Sequence, residues 1–534
     1  MSGKQQRDVV ILGGGLAGLT LAIQLKQQLP SLDVQVLERR RHPVPESAHK
    51  VGESTVEIGA NYLDTVLGLK DHLARRQLRK FGFRFFFSDG REDLEGVLEL
   101  GASRYLATPS YQLDRGILEN HLGEVARELS VDFIDGAVVR GFDIGTAGAA
   151  HGIRYQAAGE ACEVNARWLI DASGRAGLIK RKLDLAQQNA HDANAVWFRL
   201  GGRIDVDEWS NDSQWLTRCE PPHRWLSTNH LCGEGYWAWL IPLSSGSHSV
   251  GIVCDAKLHP LETMDTFDKA LAWFGKHQPR LARDIEGKRE LLQDFCFLRN
   301  FSYGCKQVFS ADRWALTGEA GLFLDPFYSP GSDFIGIANT YIVDLVARDL
   351  KGEYIGAYAN VYQQLYFSFY ESTLSLYTGQ YALFGDPQVM PVKVIWDYAF
   401  YWGVLCQLFF QRRLSDLNSL GRLSAELSLA RALNAAMQSF MREWSQVSKK
   451  RNGAYVLDQA SLPWFAELNR GLRDELDDAG FRARIRENVA LLTTLAQQIV
   501  ERACEQHRGL NGDAVRALLT KSPPRASLLF ADAA

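Results

Sequence analysis

The hydrophobic positions near the start of the chain predict a strand, a helix and a second strand in close succession. Residues 8–12 are mostly apolar, as is typical of a buried parallel strand, and residues 34–37 are mostly apolar as well. Between them, a glycine-rich turn opens a helix that we expect to end near Gln28. Glu38 follows the second strand directly. This succession is typical of a Rossmann-type nucleotide-binding unit.

The pattern changes twice further along the chain. Alternating hydrophobic and polar positions between residues 193 and 253 predict an antiparallel sheet with strands at 196–200, 236–241 and 247–253. From about Gly336 onward the spacing is mostly helical, and it is clearest at 424–441 and 481–505. The expected fold class is therefore α/β, with a Rossmann-type domain, an antiparallel β layer and a mostly helical C-terminal region.

These pattern changes also set the expected domain boundaries. The predicted segments are a discontinuous nucleotide-binding domain at 1–190 and 301–350, a β-sheet substrate layer at 191–300 and a helical region at 351–534. We expect residues 520–534 to form a loose tail.

Composition excludes several classes of function. The net charge of −4 among 534 residues gives no electrostatic footprint for nucleic acid. The eight cysteines form no C-x-x-C pair and no metal-ligand spacing, so we expect no metal site and a reduced, cytoplasmic protein.

The apolar stretch 400–410 is too short to span a bilayer, and it either packs in the core or contacts a membrane or carrier protein. The 27 Phe, 18 Tyr and 13 Trp indicate either an aromatic-lined substrate space or a well-filled core.

Each glycine of the N-terminal turn has a physical task. Gly13 makes the tight turn, Gly15 lets a pyrophosphate approach the backbone, and Gly18 allows close packing of helix and strand. The helix N-terminus offers amide groups and a positive dipole to the phosphates. Glu38 is placed to accept hydrogen bonds from a ribose. The further cofactor-binding candidates in this unit are Leu16, Ala17 and Arg39.

Three distant segments indicate that the nucleotide is FAD. They are Gln112-Leu113-Asp114-Arg115, Asp171-Ala172-Ser173-Gly174-Arg175 and Thr317-Gly318-Glu319-Ala320. They resemble the pieces that close over FAD in para-hydroxybenzoate-hydroxylase-like flavoproteins. The resemblance implies cofactor contacts for Arg115, Asp171, Gly174, Gly318 and Glu319. No second G-x-G-x-x-G is present, so we expect a separate flavin reductase to supply the electrons.

Further segments carry a more specific resemblance. They are Lys80-Phe81-Gly82-Phe83-Arg84-Phe85, Trp237-Ala238-Trp239-Leu240-Ile241-Pro242, Phe323-Leu324-Asp325-Pro326-Phe327-Tyr328-Ser329-Pro330-Gly331 and Val51-Gly52-Glu53-Ser54. Together they resemble the flavin-dependent halogenases over roughly the first two-thirds of the chain. The resemblance implies that a flavin hydroperoxide oxidises halide to hypohalous acid, which Lys80 delivers to an aromatic carbon with help from Ser329. Glu53, Ser54 and Gly331 would lie beside the flavin.

The same resemblance assigns the substrate side. Trp237 and Trp239 alternate along a strand and so form one wall, with Pro242 at its end. Phe323, Pro326 and Tyr328 would line the tunnel. Tyr328 stands where tryptophan-specific halogenases carry glutamate, which implies a phenol, pyrrole or carrier-bound substrate. The expected substrate is a small electron-rich aromatic, phenol- or resorcinol-like, either free or tethered to a carrier protein.

The halide site departs from the family pattern. Chloride or bromide would rest on backbone amides at Pro330 and Gly331, but proline has no N–H group. Three interpretations therefore stay open at this point. The chain is an FADH2-dependent halogenase, a halide-independent flavin monooxygenase or oxidase, or a flavin-binding partner without activity of its own. Lys80 alone could also be a surface lysine beside Arg79.

Overall fold

The computed structural model describes residues 5–46, 52–88, 90–219, 223–519 and 528. Val51 of the expected flavin-side loop lies outside these residues, as does the predicted tail at 520–534 apart from residue 528.

The described chain contains 19 strands. They are β1 (Gln5–Leu12), β2 (Val34–Glu38), β3 (Leu78–Arg79), β4 (Phe83–Phe86), β5 (Glu99–Gly101), β6 (Tyr111–Gln112), β7 (Asp132–Asp135), β8 (Val138–Asp143), β9 (His151–Ala157), β10 (Glu160–Asp171), β11 (Ala186–Gln188), β12 (Ala193–Gly201), β13 (Thr228–Gly233), β14 (Tyr236–Pro242), β15 (Ser247–Asp255), β16 (Leu292–Leu298), β17 (Tyr303–Cys305), β18 (Trp314–Leu316) and β19 (Val456–Asp458).

Its α-helices are α1 (Leu16–Gln28), α2 (Glu57–Asn61), α3 (Lys70–Arg76), α4 (Arg115–Glu128), α5 (Leu178–Lys182), α6 (Ser213–Thr217), α7 (Phe267–His277), α8 (Pro279–Glu286), α9 (Gly331–Leu350), α10 (Gly356–Leu374), α11 (Met390–Phe400), α12 (Gln407–Phe410), α13 (Leu417–Arg422), α14 (Ser424–Val447), α15 (Pro463–Arg470), α16 (Asp478–Gln506) and α17 (Asp513–Arg516). Two π-helical segments are Tyr62–Val66 and Tyr401–Cys406.

The first of two compact units contains residues 1–77, 113–190 and 302–370. Its main sheet has the order β7-β2-β1-β10-β9-β8, with β18 parallel to β10 at its C-terminal end. Strands β2 and β10 both run parallel to β1, and Leu12 lies opposite Leu37 and Asp171. This register brings the carboxyl ends of the three strands together, which is where open α/β sheets bind ligands.

The second unit contains residues 78–112, 191–301 and 371–534. Its sheet has the order β16-β12-β15-β14-β13-β4-β5-β19. The neighbours β12, β14 and β15 pair antiparallel, as the alternation predicted, whereas β4 pairs parallel with β13 and β5 with β19. Large apolar side chains pack on one face of this sheet against α7 and α8.

The division into units differs from the predicted boundaries in two ways. Residues 78–112, assigned from sequence to the nucleotide-binding domain, cluster with the second unit because β4 is a member of its sheet. The helical region predicted from 351 does not form a unit of its own, since its residues from 371 onward cluster with the β layer.

The predicted elements and the α/β fold class are confirmed. The predicted strands at 8–12 and 34–37 lie within β1 and β2, and the two amphipathic stretches lie within α14 and α16. The apolar stretch 400–410 is packed in the interior, with Trp402, Gly403 and Cys406 buried. Among the described residues, none of the helices has both the length and the apolar character needed to cross a membrane. A cytoplasmic location stays a prediction.

Candidate functional site

The turn between β1 and α1 has the geometry of a phosphate-binding loop. Gly13 adopts a φ of +113°, and a Cβ atom there would overlap the carbonyl oxygen of Ala172. A Cβ atom at Gly18 would overlap the carbonyl oxygen of Gly13. A Cβ atom at Gly15, in contrast, would meet nothing within 4 Å. The turn is therefore tightly packed on its inner side and open at Gly15, where a pyrophosphate needs room.

The start of α1 is left available for an anion. Gly15 is its N-cap residue, no side chain caps the helix, and its first turn contains no acidic residue. The amides of Leu16 and Ala17 therefore keep the partial positive charge of the helix end. This arrangement fits a dinucleotide phosphate.

Glu38 closes the turn from the end of β2. Its Oε2 accepts a hydrogen bond from Gly14 N at 2.7 Å, and its Oε1 accepts one from Arg40 N at 2.7 Å. Each carboxylate oxygen keeps further acceptor capacity for a ribose hydroxyl. Arg39 beside it is exposed to solvent.

Asp171 organises the return strand β10. Its Oδ1 accepts from Ser173 N at 3.0 Å and its Oδ2 from Ile179 N at 2.7 Å. Burial raises the pKa of this carboxyl group, and the hydrogen bonds that it accepts oppose the shift. Asp171 thereby fixes the turn that contains Gly174, whose φ is +62°. Its predicted contact with the cofactor stays a prediction.

A cluster of charged groups surrounds the third predicted segment. Arg175 Nη1 lies 3.7 Å from Glu319 Oε2. Burial raises the pKa of Glu319, whereas the positive charges of Arg175 and Arg115 lower it. Burial lowers the pKa of Arg115, and the charges of Glu319 and Glu53 oppose that shift. The three predicted FAD segments thus meet in one electrostatic cluster.

The same cluster reaches the phosphate turn and the flavin-side loop. A Cβ atom at Gly318 would lie 2.9 Å from the Cβ of Ala17. Arg115 Nη1 donates to the carbonyl oxygen of Gly52 at 3.3 Å. Glu53 and Ser54 are buried, at 3% and 4% exposure.

Asn339, which sequence reasoning missed, holds α9 against the nucleotide-binding elements. Its Nδ2 donates to Thr20 Oγ1 at 3.1 Å and to Tyr62 Oη at 2.9 Å. Thr317 Oγ1 donates to Asn339 Oδ1 at 2.7 Å. No local motif marks this asparagine, because its partners lie on α1, the π-helix after α2 and the segment after β18.

The segment from Phe323 to Gly331 forms a tight turn into α9. Phe323 pairs with Tyr303 as an isolated β-bridge. Ser329 N donates to the carbonyl oxygen of Pro326 at 2.8 Å, and Ser329 has a left-handed φ of +52°. Such a conformation is uncommon for a residue other than glycine and costs free energy, and strained residues of this kind cluster at functional sites.

Pro330 is the N-cap residue of α9, with φ −75° and no side-chain cap. Gly331 is exposed at the first helical position, and a Cβ there would meet nothing within 4 Å. Tyr328 lies half-buried with its ring 4.6 Å from that of Phe327. The helix end thus offers the amide of Gly331 to an anion, while Pro330 contributes none.

Lys80 is a buried lysine in the second unit. Its side chain is 3% exposed, whereas the neighbouring Arg79 is exposed. Its Nζ lies 3.3 Å from the centroid of the Phe83 ring, a cation–π contact. Lys80 is therefore not the surface residue that the alternative interpretation required. Charged side chains are rarely buried without a specific reason.

Trp237 and Trp239 form the expected wall on one face of β14. Their ring centroids lie 5.6 Å apart and both side chains are buried. Trp237 Nε1 donates to Tyr381 Oη at 2.9 Å, and Trp239 Nε1 donates to Ser249 Oγ at 3.1 Å. These hydrogen bonds fix both rings. Pro242 ends the strand, opposite His248.

His230 continues this wall and was not identified from sequence. It lies between Trp239 and Phe85 in the sheet register. Its ring stacks on Phe85 at 4.6 Å and meets Phe83 edge-on at 5.1 Å. The aromatic face therefore runs from Trp239 to the ring that contacts Lys80. The strand pairing that creates this row lies beyond any local pattern.

Comparison with known proteins shows which proteins are similar to this chain. The FAD binding domain family matches residues 6–270. Flavin-dependent halogenase chlA of Dictyostelium discoideum is 26% identical over 372 residues, covering 64% of this chain. A 1H-pyrrole-2-carbonyl-(peptidyl-carrier protein) brominase of Pseudoalteromonas luteoviolacea is 25% identical over 365 residues, covering 66% of this chain. The chain is therefore similar to the flavin-dependent halogenases. The alignments span 60% of the Dictyostelium protein and 80% of the brominase.

Solved structures of halogenases share the fold of this chain. The flavin-dependent brominase Bmp2 matches with a TM-score of 0.58 and 24% identity, covering 71% of this chain and 89% of that one. Halogenase PltM matches with a TM-score of 0.66 and 17% identity, covering 96% of this chain and 99% of that one. At these identities the likeness shows the fold alone.

Two predictions about this chain are thereby confirmed. FAD is its cofactor, since the FAD binding domain family covers the phosphate turn, Glu38 and Arg115. The prediction that the chain is not of the tryptophan-specific type is supported by its relatives, which include the pyrrole-type brominase. The individual catalytic, tunnel and halide residues stay predictions.

Proposed function

We propose that this chain is an FADH2-dependent halogenase that installs halogen on an electron-rich aromatic, phenol- or resorcinol-like, through Lys80. The observation that supports this most directly is the burial of the Lys80 ammonium against the Phe83 ring. Reduced FAD with O2 supplies the oxidising equivalents that convert a halide ion into hypohalous acid. Lys80 then positions that acid.

The chemistry at Lys80 follows from its surroundings. In a desolvated aromatic environment an ammonium group is a strong hydrogen-bond donor, and its amine form is a nucleophile. It either hydrogen-bonds the hypohalous oxygen or forms a haloamine with loss of water. In both cases the aromatic carbon takes the halogen and loses its proton, so that ArH and HOX give ArX and water. The assistance that the family resemblance gives to Ser329 stays a prediction.

Other residues restrict where the reaction occurs. Trp237 and Trp239, fixed by their indole hydrogen bonds, present a rigid apolar surface that excludes water. Phe323, Pro326 and Tyr328 are proposed to line the path of the hypohalous acid. The halide would be held by the amide of Gly331 at the start of α9.

The partners are also part of the proposal. The described residues contain one nucleotide-binding sheet, in which β2, β1 and β10 run parallel, so a separate flavin reductase would deliver FADH2. The names of two relatives specify pyrrole held on a peptidyl carrier protein, which makes a carrier-tethered substrate the alternative to a free one.

A second function is favoured by Pro330. Without an N–H group there, the halide site loses a donor, and the same scaffold could oxidise or hydroxylate its aromatic substrate without halide. The third interpretation, a flavin-binding partner without activity, would show bound reducible FAD and no turnover.

Product mass with and without bromide tests these alternatives. The enzyme is supplied with FADH2 by a flavin reductase and NADH, with resorcinol or phloroglucinol as substrate. A brominated product that disappears when halide is rigorously excluded supports the halogenase. An oxygenated product formed equally well without halide would overturn it in favour of the monooxygenase. Rapid NADPH oxidation by the isolated chain would argue against a separate reductase.

A further inference from the structure

An aromatic cluster in the helical region begins one ring away from Lys80. The Phe83 ring, on which the Lys80 ammonium lies, has its centroid 6.0 Å from that of Tyr398. Tyr398 in turn lies 4.7 Å from Trp402, and Trp402 lies 4.5 Å from Phe465. All of these side chains belong to the second unit. Helical residues distant in sequence therefore approach the proposed catalytic lysine.

Trp402 lies in a π-helix that has its own support. The segment Tyr401–Cys406 is π-helical and continues directly from α11. Asn488 on α16 donates its Nδ2 to the carbonyl oxygen of Gly403 at 2.9 Å. A π-helix is a local departure from the favoured α-helical geometry, and such segments occur frequently at functional sites. The side chain of Asn488 thus stabilises the backbone form that sets the direction of Trp402.

The indole of Trp402 contains an unused donor. Its side chain is fully buried, and Nε1 has no hydrogen-bond partner within the described part of the chain. A buried donor without a partner is costly, and a tryptophan N–H in a core normally finds one. A ligand oxygen would supply it.

We propose that Trp402 is a substrate-binding residue whose indole N–H donates to a hydroxyl oxygen of the aromatic substrate. The rings of Tyr398 and Phe465 pack on that indole and fix the direction of its N–H. The hydrogen bond from Trp402 selects aromatics with an oxygen substituent and sets which ring carbon faces Lys80. The inference rests on the proposed function in one respect, since Lys80 defines the reacting end of the substrate.

Direct binding of small probes to the FAD-loaded protein tests this assignment. Phenol, resorcinol and phloroglucinol are titrated by calorimetry against wild type and Trp402→Phe, which keeps an aromatic ring and removes the donor. We expect the hydroxylated probes to bind about three- to tenfold more weakly to the variant, the loss of one neutral hydrogen bond. Toluene, which has no oxygen, should bind both proteins with the same affinity.

Trp444→Phe is the matched control. Trp444 in α14 is also buried with an indole N–H that lacks a partner among the described residues, but its ring lies beside Phe440. This variant should bind every probe as wild type does. If Trp402→Phe does not fold, Asn488→Leu provides a second test, because it removes the donor that holds the π-helix and should weaken hydroxylated probes selectively.

The outcomes are distinguishable from those of the proposed function. Hydroxylated probes that bind Trp402→Phe as tightly as wild type would overturn the assignment even if wild type brominates them. An equal loss of affinity for toluene would also overturn the assignment, since it would show that Trp402 contributes through packing and not through a hydrogen bond. Failure of wild type to bind any hydroxylated probe would also overturn it. If wild type binds the hydroxylated probes selectively but does not brominate them, the proposed function is overturned, whereas the assignment of Trp402 as a substrate-binding residue stands.

Discussion

A Cβ atom at Gly15 would meet no atom within 4 Å, whereas one at Gly13 or Gly18 would overlap backbone oxygen atoms. Gly13 and Gly18 are therefore required by the folding of the turn itself. Gly15 is required only by the ligand that approaches the open side. Substitution of Gly13 or Gly18 should therefore impair folding, whereas substitution of Gly15 should impair only ligand binding.

Gly15→Val should abolish FAD binding without unfolding the protein. The Cβ atom of the valine meets no atom within 4 Å of the turn, but it occupies space that the pyrophosphate needs. The measurement is FAD released on denaturation, together with the melting temperature of the apoprotein. Gly18→Val should instead lower the melting temperature of the apoprotein because its side chain meets Gly13. Undiminished FAD content in Gly15→Val would show that the phosphate turn lies elsewhere.

Lys80 and Arg79 are adjacent cations in opposite environments. Lys80 is buried against Phe83, whereas Arg79 is exposed and donates to the carbonyl oxygen of Leu106 at 3.2 Å. Arg79 ends β3, and Lys80 follows directly after that strand, with its backbone N donating to the carbonyl oxygen of Ser110 at 2.9 Å. Sequence alone could not decide which of the two is buried.

Lys80→Met should lose more than about 99% of halogenated product, since removal of a positioned acid or nucleophile costs about 10²-fold or more. FAD content and oxidation of FADH2 by O2 should stay near wild type, because these depend on the first unit. Arg79→Met is the control and should retain product formation. Product within a few-fold of wild type in Lys80→Met would remove Lys80 from the mechanism.

At the scale of elements, the start of α9 combines two features. The preceding Ser329 is in a left-handed conformation, and Pro330 occupies the N-cap with φ −75°. Any residue can adopt that φ, so other side chains should be accommodated at 330. The helix end keeps its dipole but lacks one amide donor at this position.

Pro330→Thr should strengthen halide binding. One restored bond to a charged acceptor is worth about 1.5–3 kcal/mol, which corresponds to about ten- to a hundredfold tighter binding. The bromide concentration for half-maximal product should fall by that factor, and Pro330→Ala should act in the same direction because it restores the same N–H. Unchanged halide dependence in both variants would place the anion away from this amide.

At the scale of the whole molecule, buried histidines couple stability to pH. Burial lowers the pKa of His248 in β15 from 6.5 to about 3, and lowers that of His72 in α3 to about 4. In the unfolded chain both groups take up protons below about pH 6.5. The native state therefore loses stability as the pH falls from about 6.5 towards these lower values.

For His248 alone, the free energy of unfolding should fall by about 1.4 kcal/mol for each pH unit below 6.5. Thermal melting between pH 7.5 and 5.5 measures this, in a range above most carboxylate titrations. His248→Asn keeps an acceptor for Ile204 N, which donates to His248 Nδ1 at 3.1 Å. The His248→Asn variant should therefore show a weaker dependence of the free energy of unfolding on pH. An equal slope in wild type and variant would contradict the buried neutral histidine.

Much of the fold could be predicted because it depends on local pattern. The spacing of Gly13, Gly15 and Gly18 after an apolar run determines the phosphate turn, since each position meets a steric need within the same few residues. The two-residue period of β14 determines that Trp237 and Trp239 share a face. Neither conclusion needs to know what packs against the element.

Tertiary structure decided what depends on residues far apart in sequence. Lys80 is buried against Phe83, which lies on β4 of the second sheet, and β5 in that sheet pairs with β19 across more than 350 residues. Asn339 and Asn488 act through partners on other helices. Such contacts depend on which helices and strands pack together, and sequence periodicity does not predict that packing. The sequence by itself determined the cofactor and the shared face of the two tryptophans, because both depend on local spacing. Tertiary packing determined that Lys80 is buried and that Asn339 and Asn488 hold their helices in place.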